Sequence, residues 1–182
     1  MDKNVKEFRD GIFSLKTRRF GKTAELMIQK LYNYNDSKTV AYDLLSKKDE
    51  KIEVKFSTVL KKNNSIIKSD NLLESVISCS LDNRMLSFEE AKKKPFDCNI
   101  QQIKSKEFKY LYYGCFFSDI IMICRITKDQ IKEDKQIFYS DHQHRGNTGE
   151  GQFHINKYSI QHHLDNYLIK YLSYEELYNL FK

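Results

Sequence analysis

Proline is almost missing from this chain. Pro95 stands alone among 182 residues, and no low-complexity tract accompanies it. Nothing therefore reads as an interdomain linker, and residues 1–182 are expected to form one domain, long enough to bury a real core. Long apolar runs are missing too. The longest, Ile120 to Cys124, is far short of the ~20 residues a membrane-spanning helix needs. The opening Met1-Asp2-Lys3-Asn4 lacks the apolar stretch of a signal peptide. An intracellular, cytoplasmic protein with no membrane partner is expected. Cysteine is sparse, and Cys79, Cys98, Cys115 and Cys124 show no Cys-x-x-Cys spacing. Buried or idle thiols are expected in a reducing compartment, with Cys115 and Cys124 serving as small hydrophobes in apolar strands.

What the chain does have is positive charge. Its formal net charge is +6. Basic residues cluster at Arg18-Arg19, Lys47-Lys48, Lys61-Lys62 and Lys92-Lys93-Lys94. Without a membrane anchor, that balance favours a nucleic-acid partner through phosphate neutralisation.

Periodicity predicts a mixed α/β (α+β) domain. Residues 1–33 read as helical, with Phe20, Ala24, Met27, Ile28 and Leu31 at helical spacing. A polar turn follows at 33–37, then strands near 39–45 and 51–59. Residues 60–86 give no clear pattern beyond a loop at Lys61-Lys62-Asn63-Asn64-Ser65. Ser87-Phe88-Glu89-Glu90 has capping-box spacing, for a short helix stopped by Pro95. Residues 111–117 and 120–126 read as two buried strands turned at Ser118-Asp119. Thr127 is a helix cap, and 136–139 one more strand. Residues 140–156, with Gly146, Gly149 and Gly151, read as an open loop. Residues 159–181 read as helix, broken in two by a second capping box at Ser173-Tyr174-Glu175-Glu176, with Tyr158, Tyr167, Tyr171, Tyr174 and Tyr178 forming packing stripes. One central sheet flanked by helices is expected.

The chemistry concentrates early. In Lys51-Ile52-Glu53-Val54-Lys55-Phe56, strand alternation points Glu53 and Lys55 one way and Ile52, Val54 and Phe56 the other. Asp43 ends a preceding apolar run. A hairpin would place two carboxylates and an ammonium together. Glu-x-Lys also occurs at Glu90, Glu107 and Glu133, so the tripeptide alone says little, and a wet strand face would look the same. Only the Glu53 copy sits in a strand-like run with an acid ten residues before it. Asp43 and Glu53 are hard oxygen ligands that suit Mg²⁺. The Val54 carbonyl could complete the shell, Lys55 could orient a water and stabilise developing charge, and Glu25 on its helix could add a further carboxylate. The five histidines (His142, His144, His154, His162, His163) have no cysteine near them. The adjacent pair would also diverge by about 100° on a helix, which disfavours zinc. Arg145, Asn147, Gln152 and His154 are instead base- and phosphate-reading residue types in a glycine-rich loop, joined by Lys61, Lys62 and Asn63 upstream.

The helix glutamate, Asp43 and Glu53-Val54-Lys55, with Asn99 to Ile103 and the hairpin 111–126 after them, resemble the PD-(D/E)xK nuclease superfamily, and within it the small type II restriction endonucleases. Tyr42 stands where that family often has proline. The resemblance covers roughly residues 15–130. It implies a restriction-endonuclease-like central mixed sheet, metal ligation by Asp43 and Glu53, and Lys55 as the catalytic lysine. It further implies a homodimer on double-stranded DNA, with residues 140–182 serving recognition and dimerisation, and a possible cognate methyltransferase. A Holliday-junction resolvase or repair nuclease shares the same core. A basic DNA-binding protein without catalysis is the reading from outside enzymology.

Overall fold

A computed structural model describes residues 1–62, 66–104, 107–142 and 148–182. The chain is mixed α+β. Helices α1 (Lys3–Phe13) and α2 (Thr17–Tyr32) replace the single helical stretch. Strands β1 (Asn35–Asp36), β2 (Leu44–Leu45) and β3 (Lys51–Thr58) follow. Then come short helices α3 (Leu72–Ser78), α4 (Leu81–Arg84) and α5 (Phe88–Ala91), strands β4 (Asp97–Ile103), β5 (Tyr110–Phe116) and β6 (Ile120–Thr127), and helix α6 (Lys128–Glu133). Strands β7 (Ser140–His142) and β8 (Thr148–Asn156), helix α7 (Ile160–Tyr167), strand β9 (Leu168–Ser173) and helix α8 (Tyr174–Phe181) complete the described elements.

The main sheet runs β1-β2-β3-β5-β6-β9, with β3 and β5 parallel and the other neighbours antiparallel. Alternation along its central strands feeds two cores. Val54, Tyr112, Phe116, Ile121 and Ile123 pack under α1, α2 and α8 with Ile12, Met27, Ile28 and Leu177. Tyr113, Cys115, Met122 and Cys124 face the other way, against a second sheet, β4-β8-β7, whose Cys98, Ile100, Phe153 and Ile155 close that core. The thiols of Cys98, Cys115 and Cys124 are buried there, where burial pushes the Cys124 thiol up to about 12.

Four expectations are corrected. The strand expected at 39–45 shrinks to Leu44–Leu45, which pairs with Ile52 and Lys51 on one side and with Asp36 and Asn35 on the other. Residues 136–139 form no strand; Ile137 is buried in an irregular segment instead. The expected open loop at 140–156 contains β7 and β8, because β4 offers β8 a register from Asp97↔Asn156 to Ile103↔Gly151. The C-terminal helix is interrupted by β9, which closes the open edge of β6. A sheet edge offers unpaired main-chain groups, and satisfying them outweighs the weak helical preference of Leu-Ile-Lys-Tyr-Leu. The capping boxes at Ser87, Thr127 and Ser173 are all formed.

Gly114 lies where β5 approaches β6 closely. A Cβ there would lie 1.8 Å from the Met122 carbonyl oxygen and 2.8 Å from the Phe56 ring. The backbone of a central strand cannot yield as a side chain can. Gly114→Ala is expected to lower stability by on the order of 3 kcal/mol or more, read as a fall in the denaturation midpoint.

Candidate active site

The site forms where β2 stops. The N–H of Asp43 donates to the carbonyl of Ile52 (3.0 Å), and Leu44 and Leu45 pair with Ile52 and Lys51. Beyond Ile52, among the described residues, that edge of β3 has no strand beside it. The Asp43 side chain takes over: its Oδ2 accepts from the Val54 N–H at 2.8 Å. A residue's N–H and C=O leave a strand on the same edge, so the Val54 carbonyl also lies on this uncovered edge, beside Asp43.

Glu53 and Lys55 share the other face of β3, as their spacing dictates. The Lys55 ammonium is an ion-pair partner of both acids, reaching Asp43 Oδ2 at 3.3 Å and pairing with Glu53 Oε1 more closely. This is not merely the wet face of an amphipathic strand. Glu53 is only 3% exposed. Burial is the main cause that raises its carboxyl to about 7; the Asp43 charge adds to the shift, and the Lys55 ammonium holds it down. For Lys55, burial opposes the charge, but the two carboxylates outweigh it and keep the pKa above the ordinary lysine value. Lys55 is thus a permanent ammonium near neutral pH, and Glu53 is poised between charged and neutral.

A cleft of about 570 Å³ runs along this edge. Its floor is Val54 to Thr58, one wall is the start of α2 with Arg18, Gly21 and Glu25, and the other is β4 with Asp97, Asn99 and Gln101. Glu25 therefore shares the cleft with Lys55, but its carboxylate pairs with Lys22 at 2.9 Å. Among the described residues, no three His, Cys, Asp or Glu side chains converge as a metal cluster. The oxygen donors beside Lys55 are the Val54 carbonyl and the carboxylates of Asp43 and Glu53, which pair with its ammonium but do not themselves line the cleft. All are hard, and Mg²⁺ commonly takes one or two carboxylates and completes its shell with water and phosphate oxygens. The donor set fits that ion.

The residues expected to contact DNA divide. Asn63, Arg145 and Asn147, and also His144, lie outside the described residues. Lys61 and Lys62 are exposed, with main-chain N–H groups donating to the carbonyls of Arg84 and Pro95. Lys62 borders a hollow shared with His154 and Asp97. His154 Nδ1 lies 2.8 Å from Asp97. Gln152 is buried rather than displayed on a loop, and its Oε1 accepts from Asn99 Nδ2 at 3.0 Å. The register sets Gln101 opposite Gln152, Asn99 opposite His154 and Asp97 opposite Asn156. One face of the β4–β8 ribbon is thus amide, imidazole and carboxylate, while Cys98, Ile100, Phe153 and Ile155 fill the core on the other. Among the described residues, the buried Asn99 Oδ1 has no hydrogen-bond partner.

No protein-family model matches this chain, and no curated protein matches it.

Sequence reasoning missed Arg18, Asp97, Asn99 and Gln101 as cleft residues. The alternation Asp97-x-Asn99-x-Gln101 was the available signal, since three polar residues at period two between apolar ones mark a strand with one wet face. Among the described residues, no histidine joins a group that could hold a metal. His162 pairs with Asp134 at 2.5 Å and His163 Nδ1 with the Tyr113 hydroxyl at 2.9 Å. Burial lowers the His163 pKa to about 4, so that imidazole is a neutral core residue.

Proposed function

We propose that this chain is a Mg²⁺-dependent endonuclease of the PD-(D/E)xK type, acting in the cytoplasm on double-stranded DNA at a specific site. The observation that carries the reading is the Lys55 ammonium held between Asp43 and Glu53 on the uncovered edge of β3, at the floor of a cleft. Asp43, Glu53 and the Val54 carbonyl would hold the ion, which when bound lowers the pKa of a coordinated water and offsets charge on the phosphate. Asp43 is braced for that role, because its Oδ2 is anchored on the Val54 N–H. Lys55 cannot serve as a base while it is charged; it orients a water and stabilises the extra negative charge of the pentavalent phosphorane. Arg18, across the cleft, supplies a cation for a backbone phosphate.

The polar β4–β8 face favours base reading. A two-stranded ribbon fits the major groove, and Asn and Gln match the adenine edge while Asp accepts from cytosine. That wall supports a sequence-specific enzyme over a junction resolvase, whose substrate is chosen by shape. The test is digestion of a large unmethylated viral DNA at low salt, with Mg²⁺ or with EDTA. Discrete fragments with Mg²⁺ alone are expected. A smear would mean a nuclease without base reading. Cleavage confined to a four-way junction would replace the reading with a resolvase, and binding without cleavage of either substrate in Mg²⁺ would reduce the chain to a DNA-binding protein.

A further inference from the structure

Helix α3 is built with its apolar side outward. Its sequence Leu-Leu-Glu-Ser-Val-Ile-Ser turns Ser75 into the protein and leaves Leu72, Leu73, Val76 and Ile77 in solvent. Ile66 and Ile67, just upstream, are exposed with them. The six side chains are between 49% and 79% exposed. An amphipathic helix normally buries such a stripe, and single exposed apolar residues such as Val40, Phe138 and Tyr158 need no explanation. Six aliphatic residues in one run are different. They present on the order of 600 Å² of apolar surface, against the ~800 Å² that each partner contributes to a standard protein interface.

We propose that this face is a self-association surface, covered by the same face of a second copy of the chain. Charge selects the occupant. The chain carries +6, so two copies repel over most of their surfaces. Across residues 66–78 the only charges are Lys68 against Asp70 and Glu74, one net negative, so this is a region where two copies meet without that repulsion. DNA is a poor occupant, since phosphate binding needs lysine and arginine. A lipid surface is also poor, because interfacial helices pair their apolar side with a basic face and aromatic anchors, and this run has no aromatic residue and a single lysine. An aliphatic, nearly uncharged patch is instead what the core of a homodimer interface looks like. A two-fold pairing makes the patch its own complement.

The test needs neither DNA nor metal, so it stands apart from the nuclease reading. Sedimentation equilibrium of the full chain from about 1 to 100 µM, in reducing buffer so that the exposed thiol of Cys79 adds no cross-links, should show the mass rising toward twice the monomer's. Leu73→Glu and Ile77→Glu change side chains that already face solvent, so both should keep the wild-type circular dichroism and, at concentrations where both chains are monomeric, the wild-type melting temperature. Each substitution enters a two-fold interface twice, so the dissociation constant should rise about 100-fold or more. A wild-type chain monomeric across the range would overturn the proposal. So would glutamate variants that dimerise as tightly as wild type, or wild-type protein that stays monomeric and pellets with phosphatidylcholine vesicles.

Discussion

Lys55→Ala is expected to reduce Mg²⁺-dependent cleavage by about 10²- to 10³-fold, the usual consequence of removing one preorganised group that faces developing negative charge. Binding to the same DNA should persist, because one ammonium among many phosphate contacts supplies little of the affinity. A gel-shift titration beside a cleavage time course separates the two. The substitution also acts on its neighbours. Glu53 would keep its buried position and its nearness to Asp43 while losing the cation that holds its pKa down. Its carboxyl should therefore rise further above 7, and more Mg²⁺ should be needed for any residual activity. Lys55→Arg keeps the charge and should restore the Mg²⁺ requirement without restoring the full rate, because a planar guanidinium cannot reproduce the ammonium's position. Cleavage by Lys55→Ala at the wild-type rate would sink the assignment.

Glu53→Gln should make the protein more stable and less active. The carboxyl of Glu53 is raised from 4.5 to about 7 in the fold, chiefly by burial. Between those values the folded state holds a proton that the unfolded chain has released, so stability falls as pH rises through the interval. The favourable state is fully present below about 4.5 and is lost once pH passes about 7. The shift amounts to about 3 kcal/mol at alkaline pH. Gln keeps the shape of the protonated acid and cannot ionise. In EDTA at pH 8.5, Glu53→Gln should melt several degrees above wild type, since each kcal/mol is worth about 2–4 °C in a chain of this size. Toward pH 5 the gap should close. A variant less stable than wild type at every pH would show that the ion pair to Lys55 outweighs the burial of the charge. If the nuclease reading holds, the same substitution removes a metal ligand and cleavage with it, an instance of a site that is kept at the expense of stability.

Much of this protein was legible in its sequence wherever local geometry alone decides. Period-two alternation placed Glu53 and Lys55 on one face of β3, and dense runs of apolar and aromatic residues marked β5 and β6 as buried strands turned at Ser118-Asp119. Ser87 and Ser173 cap their helices at the predicted positions because a capping box is a contact between residues three apart. What the sequence could not decide was set by partners far along the chain. Residues 168–173 carry no strong preference, and they became a strand because β6 had an open edge. Residues 148–156, glycine-bearing and loop-like, became a strand against β4. The burial of Glu53 depends on the layers packed around β3, and so does its raised pKa. The cleft exists because β2 is only two residues long, which leaves Asp43 to pair with Val54 where a strand would otherwise lie. By itself the sequence determined which side chains share a face, since that follows from the backbone repeat. Only the tertiary structure decided which faces are buried and which are left open, as at the outward aliphatic side of α3, because burial depends on elements packed together from distant parts of the chain.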